Sequence, residues 1–594
     1  MPDTTHPPLP APFCYYKAIL KGDHFHFGLW KEEGPHQSAE EAQQEMFAHL
    51  LSFFPPPPAK VLDVGCGLGL SASLLSGKGY AVTAIAPSPE MIEYARRTYE
   101  GSGVDFGALG FFDHDETVFS KGQYDVLFFQ ESAQYLTPLG DLMKKARWLL
   151  KENGVLIMGD EVCYDRSIKP ETSVHLSFDF TVELSGNGFC ITEHGKIGKQ
   201  VLPTFDFVID GFSTHFDEIV SASDDPATRD TLLFYLDSWK KQKLWHSTNR
   251  MGYEIFVARK DHFFIRPYAP GDETQILGMF RKTFGVERTL EHWYWEYRDN
   301  PYGRFMISEA FSEAGKLVVH YGGYPVPFFN ATGVGARTFL SYQGGDTMTL
   351  PEVRNVGLGK TNLLSRTAHH LFAAFLERQI PFAYGINTGK IKVLGKRYLG
   401  YHYLDEVVFW ARDIVKNPFK KPGWPNIFGK YKVEEVGSFT REWDEFFERV
   451  SDSYRFLVRR DAKYLKWRYL DGPDKDYRIF CVRRWGRLVG WSVFLAKENK
   501  FVWGDALFDE RCPEAVRHLL YAVQASPAAK GAERIEGWFS HHPSWWNEVL
   551  RANGFEVGRE PNRLSLCYKI FDEPDMSDAI EQSIYYSSGD SDLF

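Results

Sequence analysis

Between residues 60 and 158, short apolar runs alternate with stretches whose apolar residues recur at helical spacing. Lys60–Val64, Ala81–Ile85, Tyr124–Phe129 and Val155–Met158 are apolar and rich in β-branched residues, which predicts strands. Leu70–Leu75, Glu90–Tyr99 and Asp141–Lys151 predict helices. Such alternation predicts a parallel sheet with crossover helices, an α/β fold. From about 165 to 235 the rhythm breaks, with Gly186-Asn187-Gly188-Phe189, a Lys/Gly-rich stretch and the aromatic run Phe205–Phe212. That section is expected to form terminal strands and a cover over the sheet's edge, with Tyr253–Ala258 as the last strand.

A second pattern begins at Phe263-Phe264-Ile265-Arg266-Pro267 and repeats. Trp295-Glu296-Tyr297-Arg298-Asp299-Asn300-Pro301 matches Trp467-Arg468-Tyr469-Leu470-Asp471-Gly472-Pro473 at an offset of 172. Gly315-Lys316-Leu317-Val318 matches Gly486-Arg487-Leu488-Val489, and Leu399-Gly400-Tyr401 parallels Asn553-Gly554-Phe555. Three matches in register imply two copies of one fold. The expected organisation is a first domain over 1–261, one copy over 262–413, a basic proline-containing linker over 414–439 and a second copy over 440–571. Residues 572–594 carry seven Asp/Glu and no Lys/Arg, so a disordered acidic tail is expected there.

With 594 residues the chain can bury several cores without a metal or disulfide staple. The balance of 68 basic against 78 acidic residues argues against a nucleic acid or an anionic membrane as partner and leaves a small molecule. Seven scattered cysteines without CxxC spacing fit a reducing cytoplasm and no structural zinc. No apolar run approaches the roughly 18–20 residues that span a bilayer. His24 and His26 alternate as metal ligands might, but no third ligand lies nearby, so packing of a lid is the expectation. Nothing in the sequence fixes an oligomeric state.

Val61-Leu62-Asp63-Val64-Gly65-Cys66-Gly67-Leu68-Gly69 runs from a strand into a glycine turn and a helix, where backbone amides can meet a ligand. The segment resembles motif I of class I S-adenosylmethionine-dependent methyltransferases. Ser88–Ala95, Gln123–Val126 and Arg147–Gly154 follow in that family's order, and His24-Phe25-His26-Phe27-Gly28-Leu29-Trp30 is similar to its N-terminal cofactor-covering segment. The resemblance implies a Rossmann-like domain in which Asp63, Gly65, Gly67 and Gly69 cradle the methionine moiety and Met91 packs on the adenine. Two positions depart from the pattern. Ala86 stands where the family carries a ribose-binding carboxylate, leaving Ser88, Glu90 or a water as replacements. Tyr135, in Glu131-Ser132-Ala133-Gln134-Tyr135, stands where relatives acting on amines carry His. With an ordinary pKa near 10, Tyr135 is a poor base but can orient a nucleophile, and Glu131 and Tyr135 are the catalytic candidates, loop packing being their alternative role.

Asp346–Lys360 again runs from strand to glycine turn, and Leu363, Leu364, Ala368, Leu371 and Phe372 predict a helix beyond it. Arg354, Val356, Gly357, Gly359 and Lys360, in an R-x-x-G-x-G pattern, resemble the acyl-CoA pyrophosphate loop of the GNAT acetyltransferase superfamily. Tyr384-Gly385-Ile386-Asn387 resembles that family's fifth strand. The resemblance implies acetyl-CoA or another acyl-CoA as cofactor, with Asn387 beside it. Asp346 and Glu309 are candidate bases, each also readable as an ordinary hydrogen-bonded carboxylate. Lys396 replaces the family's thiolate-protonating Tyr, and Tyr398 lies two residues on. In the second copy Asp505–Pro513 replaces the glycines with charged and bulky residues, so that copy is expected to be degenerate.

The sequence thus points to a bifunctional transferase: a Rossmann-like methyltransferase domain followed by two GNAT-like α/β domains, acting on a small amine or related metabolite. A sensor role for the first domain, and aminoacyl transfer by the paired copies, are the alternatives.

Overall fold

The computed structural model describes residues 9–20, 22–31, 37–168, 174–223, 225–333, 336–387, 389–423, 430–571 and 576–594. They form two compact units, residues 1–266 and 267–594.

The N-terminal unit is built on a seven-stranded sheet. Its strands are β1 (Lys60–Val64), β2 (Ala81–Ala86), β3 (Asp105–Ala108), β4 (Tyr124–Gln130), β5 (Leu150–Cys163), β6 (Phe189–Lys196) and β7 (Met251–Lys260), in the order β3-β2-β1-β4-β5-β7-β6. The first five run parallel, and β7 is antiparallel to both neighbours. Helices Leu70–Gly77, Pro89–Thr98 and Leu139–Leu149 connect the parallel strands. This is the Rossmann-like alternation expected, and β1 and β4 are almost wholly buried because the sheet is covered on both faces.

The section after β5 departs from expectation. Among its described residues it holds one strand and three helices, and the aromatic run Phe205–Phe212 lies inside the helix Gly198–Ala222. Val201, Phe205, Val208 and Phe212 fall on one buried face at helical spacing. Gly211 sits where the helix Phe13–Leu20 approaches, so that a Cβ there would meet Ile19.

The C-terminal unit contains two sheets that exchange strands. In the first, Leu317–Asn330, Arg337–Thr349 and Phe382–Asn387 are neighbours, the last two parallel. Next to Phe382–Asn387 lies Ser565–Ile570, paired antiparallel over six positions although it comes from the second copy. In the second sheet Arg534–Trp538 pairs with Phe409–Asp413, which comes from the first copy. Each copy thus closes the other's sheet, and the cuts expected at 413 and 440 do not separate two bodies. Tyr431–Glu435, within the expected linker, is a strand paired with Arg478–Arg484. Residues 424–429 of that stretch lie outside the described residues.

The repeat itself forms the contact between the copies. Trp295 Nε1 donates to Trp467 O at 2.8 Å and Trp467 Nε1 donates to Trp295 O at 3.0 Å, with the two rings stacked 5.6 Å apart. This reciprocity marks a pseudo-two-fold axis.

The expected disordered tail is a packed element from residue 576 on, 572–575 lying outside the described residues. Helix Met576–Ser583 leads into a segment in which Tyr585, Ser587, Asp590, Ser591 and Phe594 are buried. Its acidic composition suggested solvation; instead Asp590 pairs with the wholly buried Arg460 at 2.6 Å. Among the described residues no helix is long and apolar enough to cross a membrane.

Candidate functional site

In the N-terminal unit the glycine turn leaves β1 directly. Gly65, Gly67 and Gly69 all have positive φ, at 75°, 56° and 87°. A Cβ on Gly65 would strike Ser132, and one on Gly69 would crowd Ala95 and Phe106, so both need glycine. Around Gly67 there is open space. The amides of Gly65 and Cys66 bond Ile85 O at 2.8 and 3.1 Å, so those two are spent in holding the turn to β2. Asp63 is buried with its Oδ2 unpartnered, and burial pushes its carboxyl up to about 7. A buried carboxylate oxygen without a partner, on the strand that leads into the turn, suits a ligand bearing a cationic amine.

Met91 is buried with Leu68 and Tyr94, with Phe13 and Phe25 packed against them. Ala86 ends β2 without a carboxylate. Ser88 caps the next helix, accepting from Met91 N at 3.3 Å and donating to Glu90 Oε2 at 2.8 Å, so it is occupied.

The segment 24–30 is held down at both ends. Gln43 Nε2 donates to His24 O and His26 O at 3.1 and 2.9 Å, and Gly28 N and Trp30 Nε1 donate to Thr204 Oγ1. The rings of His24 and His26 bond each other at 2.9 Å, and burial pulls both far down, to about 4 and about 3, which keeps them neutral. They pack the lid. Glu131, at φ 57°, joins this segment to the end of β4: its Oε1 accepts from Phe27 N at 2.7 Å and from Tyr253 OH at 3.1 Å. Burial raises its carboxyl, as it raises that of Asp160, whose Oδ2 accepts from the amides of Ala133 and Gln134. Asp160 and the pair Glu161–His246, 2.9 Å apart, were missed from the sequence, where they sit in an apolar strand and an unremarked helix end. Tyr135 is 68% exposed.

In the C-terminal unit, strands Arg337–Thr349 and Phe382–Asn387 pair only at Tyr342↔Ala383 and Gln343↔Tyr384, then diverge. A cleft of about 730 Å³ opens between them. Asp346, Arg354, Asn362, Asn387, Cys567 and Asp592 are among the residues lining it. Cys567 lies on the strand lent by the second copy and accepts from Asn387 Nδ2 at 3.1 Å, while Asn387 Oδ1 is buried without a partner.

The glycine turn is less bare than expected. Leu358 N donates to Thr361 Oγ1 and Leu363 N to Val356 O, and the helix begins only at Leu363, capped by Asn362. Gly357 has φ 71° with Thr361 O against its Cβ position. Arg354 borders the cleft, whereas Val356, Gly357, Gly359 and Lys360 do not. Tyr398 packs its ring on Gly359 rather than lining the cleft. Glu309 is also away from it, wholly buried and bonded to His320 Nδ1 at 3.2 Å.

Asp346 does reach the cleft, but its carboxylate is engaged. Oδ2 pairs with Arg288 and accepts from Tyr297 OH at 3.1 Å. The second copy builds the same triad: Asp505 bonds Arg460 at 2.9 Å and Tyr469 OH at 2.8 Å. Arg288 and Arg460 share the 172-residue offset of the tryptophans, a signal present in the sequence. Because the triad recurs in a copy without a glycine turn, it anchors the fold, and Asp346 is not a free base.

Residues 62–158 match the family described as "Methyltransferase domain". The chain is 29% identical over 194 residues to an O-methyltransferase of Pyrenophora dematioidea, covering 30% of this chain and 72% of that protein. It is 37% identical over 98 residues to a malonyl-[acyl-carrier protein] O-methyltransferase of Acetivibrio thermocellus, covering 16% and 33% respectively. With a ubiquinone biosynthesis O-methyltransferase of Xanthomonas axonopodis the identity is 27% over 129 residues, covering 22% and 54%. The chain therefore spans only a third to about half the length of the latter two relatives. Among solved structures, a geranyl diphosphate C-methyltransferase from Streptomyces coelicolor is 14% identical with a TM-score of 0.31, covering 40% of this chain and 91% of that one. Residues 62–158 of the N-terminal unit are thus similar to a methyltransferase-domain family, on a sheet of Rossmann-like strand order.

Proposed function

We propose that the chain is a two-site transferase, with the N-terminal unit methylating a small-molecule hydroxyl or amine and the C-terminal unit transferring an acyl group from acyl-CoA. The observation that carries the first half is the buried, unpartnered carboxylate oxygen of Asp63 on the strand that leads into the Gly65–Gly69 turn. S-adenosyl-L-methionine, when bound, supplies an electrophilic methyl group. Asp63 would hold its amine, Gly67 would admit its backbone-proximal part, and Met91 would pack its base. Glu131, the lid backbone and Tyr253 would shut out water, so that transfer needs little beyond alignment. The second half is supported by a cleft that opens where two parallel strands diverge and that Arg354 borders. Seven free thiols suit a reducing compartment such as the cytoplasm.

Titration tests the first site through pH. The Asp63 carboxyl is raised from 3.8 to about 7, so the folded unit binds its proton more tightly than the unfolded chain. Without cofactor this makes stability fall as pH rises across that window. A bound ammonium drives the proton off, so cofactor affinity increases from pH 6 to 8 with up to one proton released, read as a buffer-dependent heat. Asp63→Asn is expected to abolish the release and weaken binding about tenfold. Undiminished binding by Asp63→Asn would reject this assignment. For the second site, acetyl-CoA should bind to the wild type and at least about tenfold more weakly to Gly357→Asp; no binding to the wild type rejects the acyl half.

Ala86 and the occupied Ser88 favour a second reading, in which the N-terminal unit senses its sulfonium ligand without consuming it. Turnover of methyl-labelled cofactor in a metabolite extract decides between them.

A further inference from the structure

The segment Ile584–Phe594 is anchored in the second copy, yet two of its residues reach the first copy's cleft. Asp590 is bound by Arg460, and Arg468 donates to Gly589 O, Ser591 O and Phe594 O at 3.2, 2.8 and 2.8 Å. Between these anchors Asp592 and Leu593 line the cleft beside Asp346.

The charges around Asp592 leave its carboxylate unmatched. Arg288 is shared by Asp346 and by Glu296, the latter at 3.1 Å. Arg468 spends its N–H groups on backbone carbonyls and on Tyr477 OH. Lys475 lines a small cavity at the pseudo-two-fold axis together with Glu296 and Asp592, and burial pulls its ammonium down to about 8. Among the described residues Asp592 enters no ion pair; besides its own backbone amide, its carboxylate accepts from Ser591 Oγ at a long 3.4 Å, and Arg288 and Arg468 act on it only at a distance. Burial and the neighbouring Asp346 push its carboxyl up to about 6. Leu593, 58% exposed, adds apolar surface at the same place, while Arg354 stands beside the glycine turn. The cleft thus carries a basic group beside the turn and, near Asp346, an acid that is outside any ion pair and has an apolar neighbour.

We propose that Asp592 and Leu593 form the acceptor pocket of the C-terminal cleft, and that the acceptor it takes is an ammonium group on an apolar stem. A cationic guest supplies the counter-charge that a desolvated carboxylate lacks. The proposal rests on reading the cleft as an acyl-CoA site, and the test separates the two. Three probes are titrated into the full chain: CoA, S-(6-aminohexyl)-CoA and the nearly isosteric S-heptyl-CoA. The wild type is expected to prefer the ammonium-tipped probe over the methyl-tipped one by about tenfold. Asp592→Asn should erase that preference while leaving the affinity for CoA itself unchanged, which also shows that the variant is folded. If CoA binds but the two tipped probes bind equally to the wild type, or the preference survives in Asp592→Asn, the acceptor pocket is overturned. Failure of CoA to bind the wild type overturns the carrier reading, and this proposal with it.

Discussion

The two copies in the C-terminal unit share a frame and differ in what lies between their diverging strands. In the first, the gap beyond Gln343↔Tyr384 is an open cleft. In the second, Lys500–Phe508 and Arg534–Trp538 pair at three positions and then part, and the segment Ile584–Phe594 fills the space. Phe539 bridges to Ser587, Trp538 N donates to Ser588 Oγ at 3.0 Å, and Ser587 Oγ donates to Asp505 Oδ1 at 2.8 Å. The anchoring arginine tells the same story. Arg288 is balanced by two acids of its own copy, Asp346 and Glu296. The residue at the position of Glu296 in the second copy is Arg468, and Arg460 takes its second acid, Asp590, from the inserted segment. One substitution within the repeat thus converts a self-sufficient charge cluster into one that requires a plug.

The largest effect should come from removing that charge. Arg460 has no exposed side-chain surface, and Arg460→Met leaves Asp505 and Asp590 buried without a counter-ion. A loss of about 3–5 kcal/mol is expected in urea unfolding of the C-terminal unit. Arg288→Met should cost less, since its side chain is one-tenth exposed and water can reach the acids it leaves. Equal losses for the two variants would mean that the copies do not differ in their need for the arginine.

A smaller effect distinguishes the clefts sterically. A Cβ on Gly504 would collide with the Phe594 ring, so Gly504→Ala should cost about 1–3 kcal/mol and speed hydrogen exchange in residues 584–594. On the open side, a Cβ on Gly344 meets only Tyr384 O at 3.6 Å. Gly344→Ala should leave stability unchanged or slightly raised, by about 0.4–1 kcal/mol. A penalty at Gly344 matching that at Gly504 would show that the first cleft is also filled.

What the sequence discloses follows from how local each feature is. Strand β1 is legible over its whole length, and β2 and β4 to within one residue, because burial on both faces makes them continuous apolar runs. The helix Gly198–Ala222 is masked by Pro203 and by the close-packed Gly211, which read as breaks although Val201, Phe205, Val208 and Phe212 keep helical period. The repeat is visible at Trp295 and Trp467, but exchange of Ser565–Ile570 and Phe409–Asp413 is not, since periodicity says which face is buried and nothing about which neighbour a strand joins. The tail is the clearest failure. Composition measures the cost of burying Asp590 in isolation, whereas Arg460, 130 residues away, supplies its compensation. In the first turn, the need for glycine at Gly65 and Gly69 is legible because it follows from local backbone geometry. Roles that depend on a distant partner, such as those of Asp346 and Glu309, are not.

The smallest expected effect lies where the copies should not differ at all. Trp295 and Trp467 each donate one indole N–H to the other's carbonyl across the pseudo-two-fold axis. Replacing either by Phe keeps an aromatic ring in the stack and removes one hydrogen bond, with an expected cost of about 0.5–1.5 kcal/mol. Because the two bonds are symmetric, the single variants should agree within about 0.5 kcal/mol. The double variant should depart from additivity by a similar amount, because the rings stack directly and loosening one bond relaxes the geometry of the other. Urea unfolding of the four proteins measures this cycle. Strongly unequal singles would show that divergence has spread from the clefts to the axis; equal and coupled singles would confine it to the gap between the strands, where one copy kept a cavity and the other accepted a segment of its own chain.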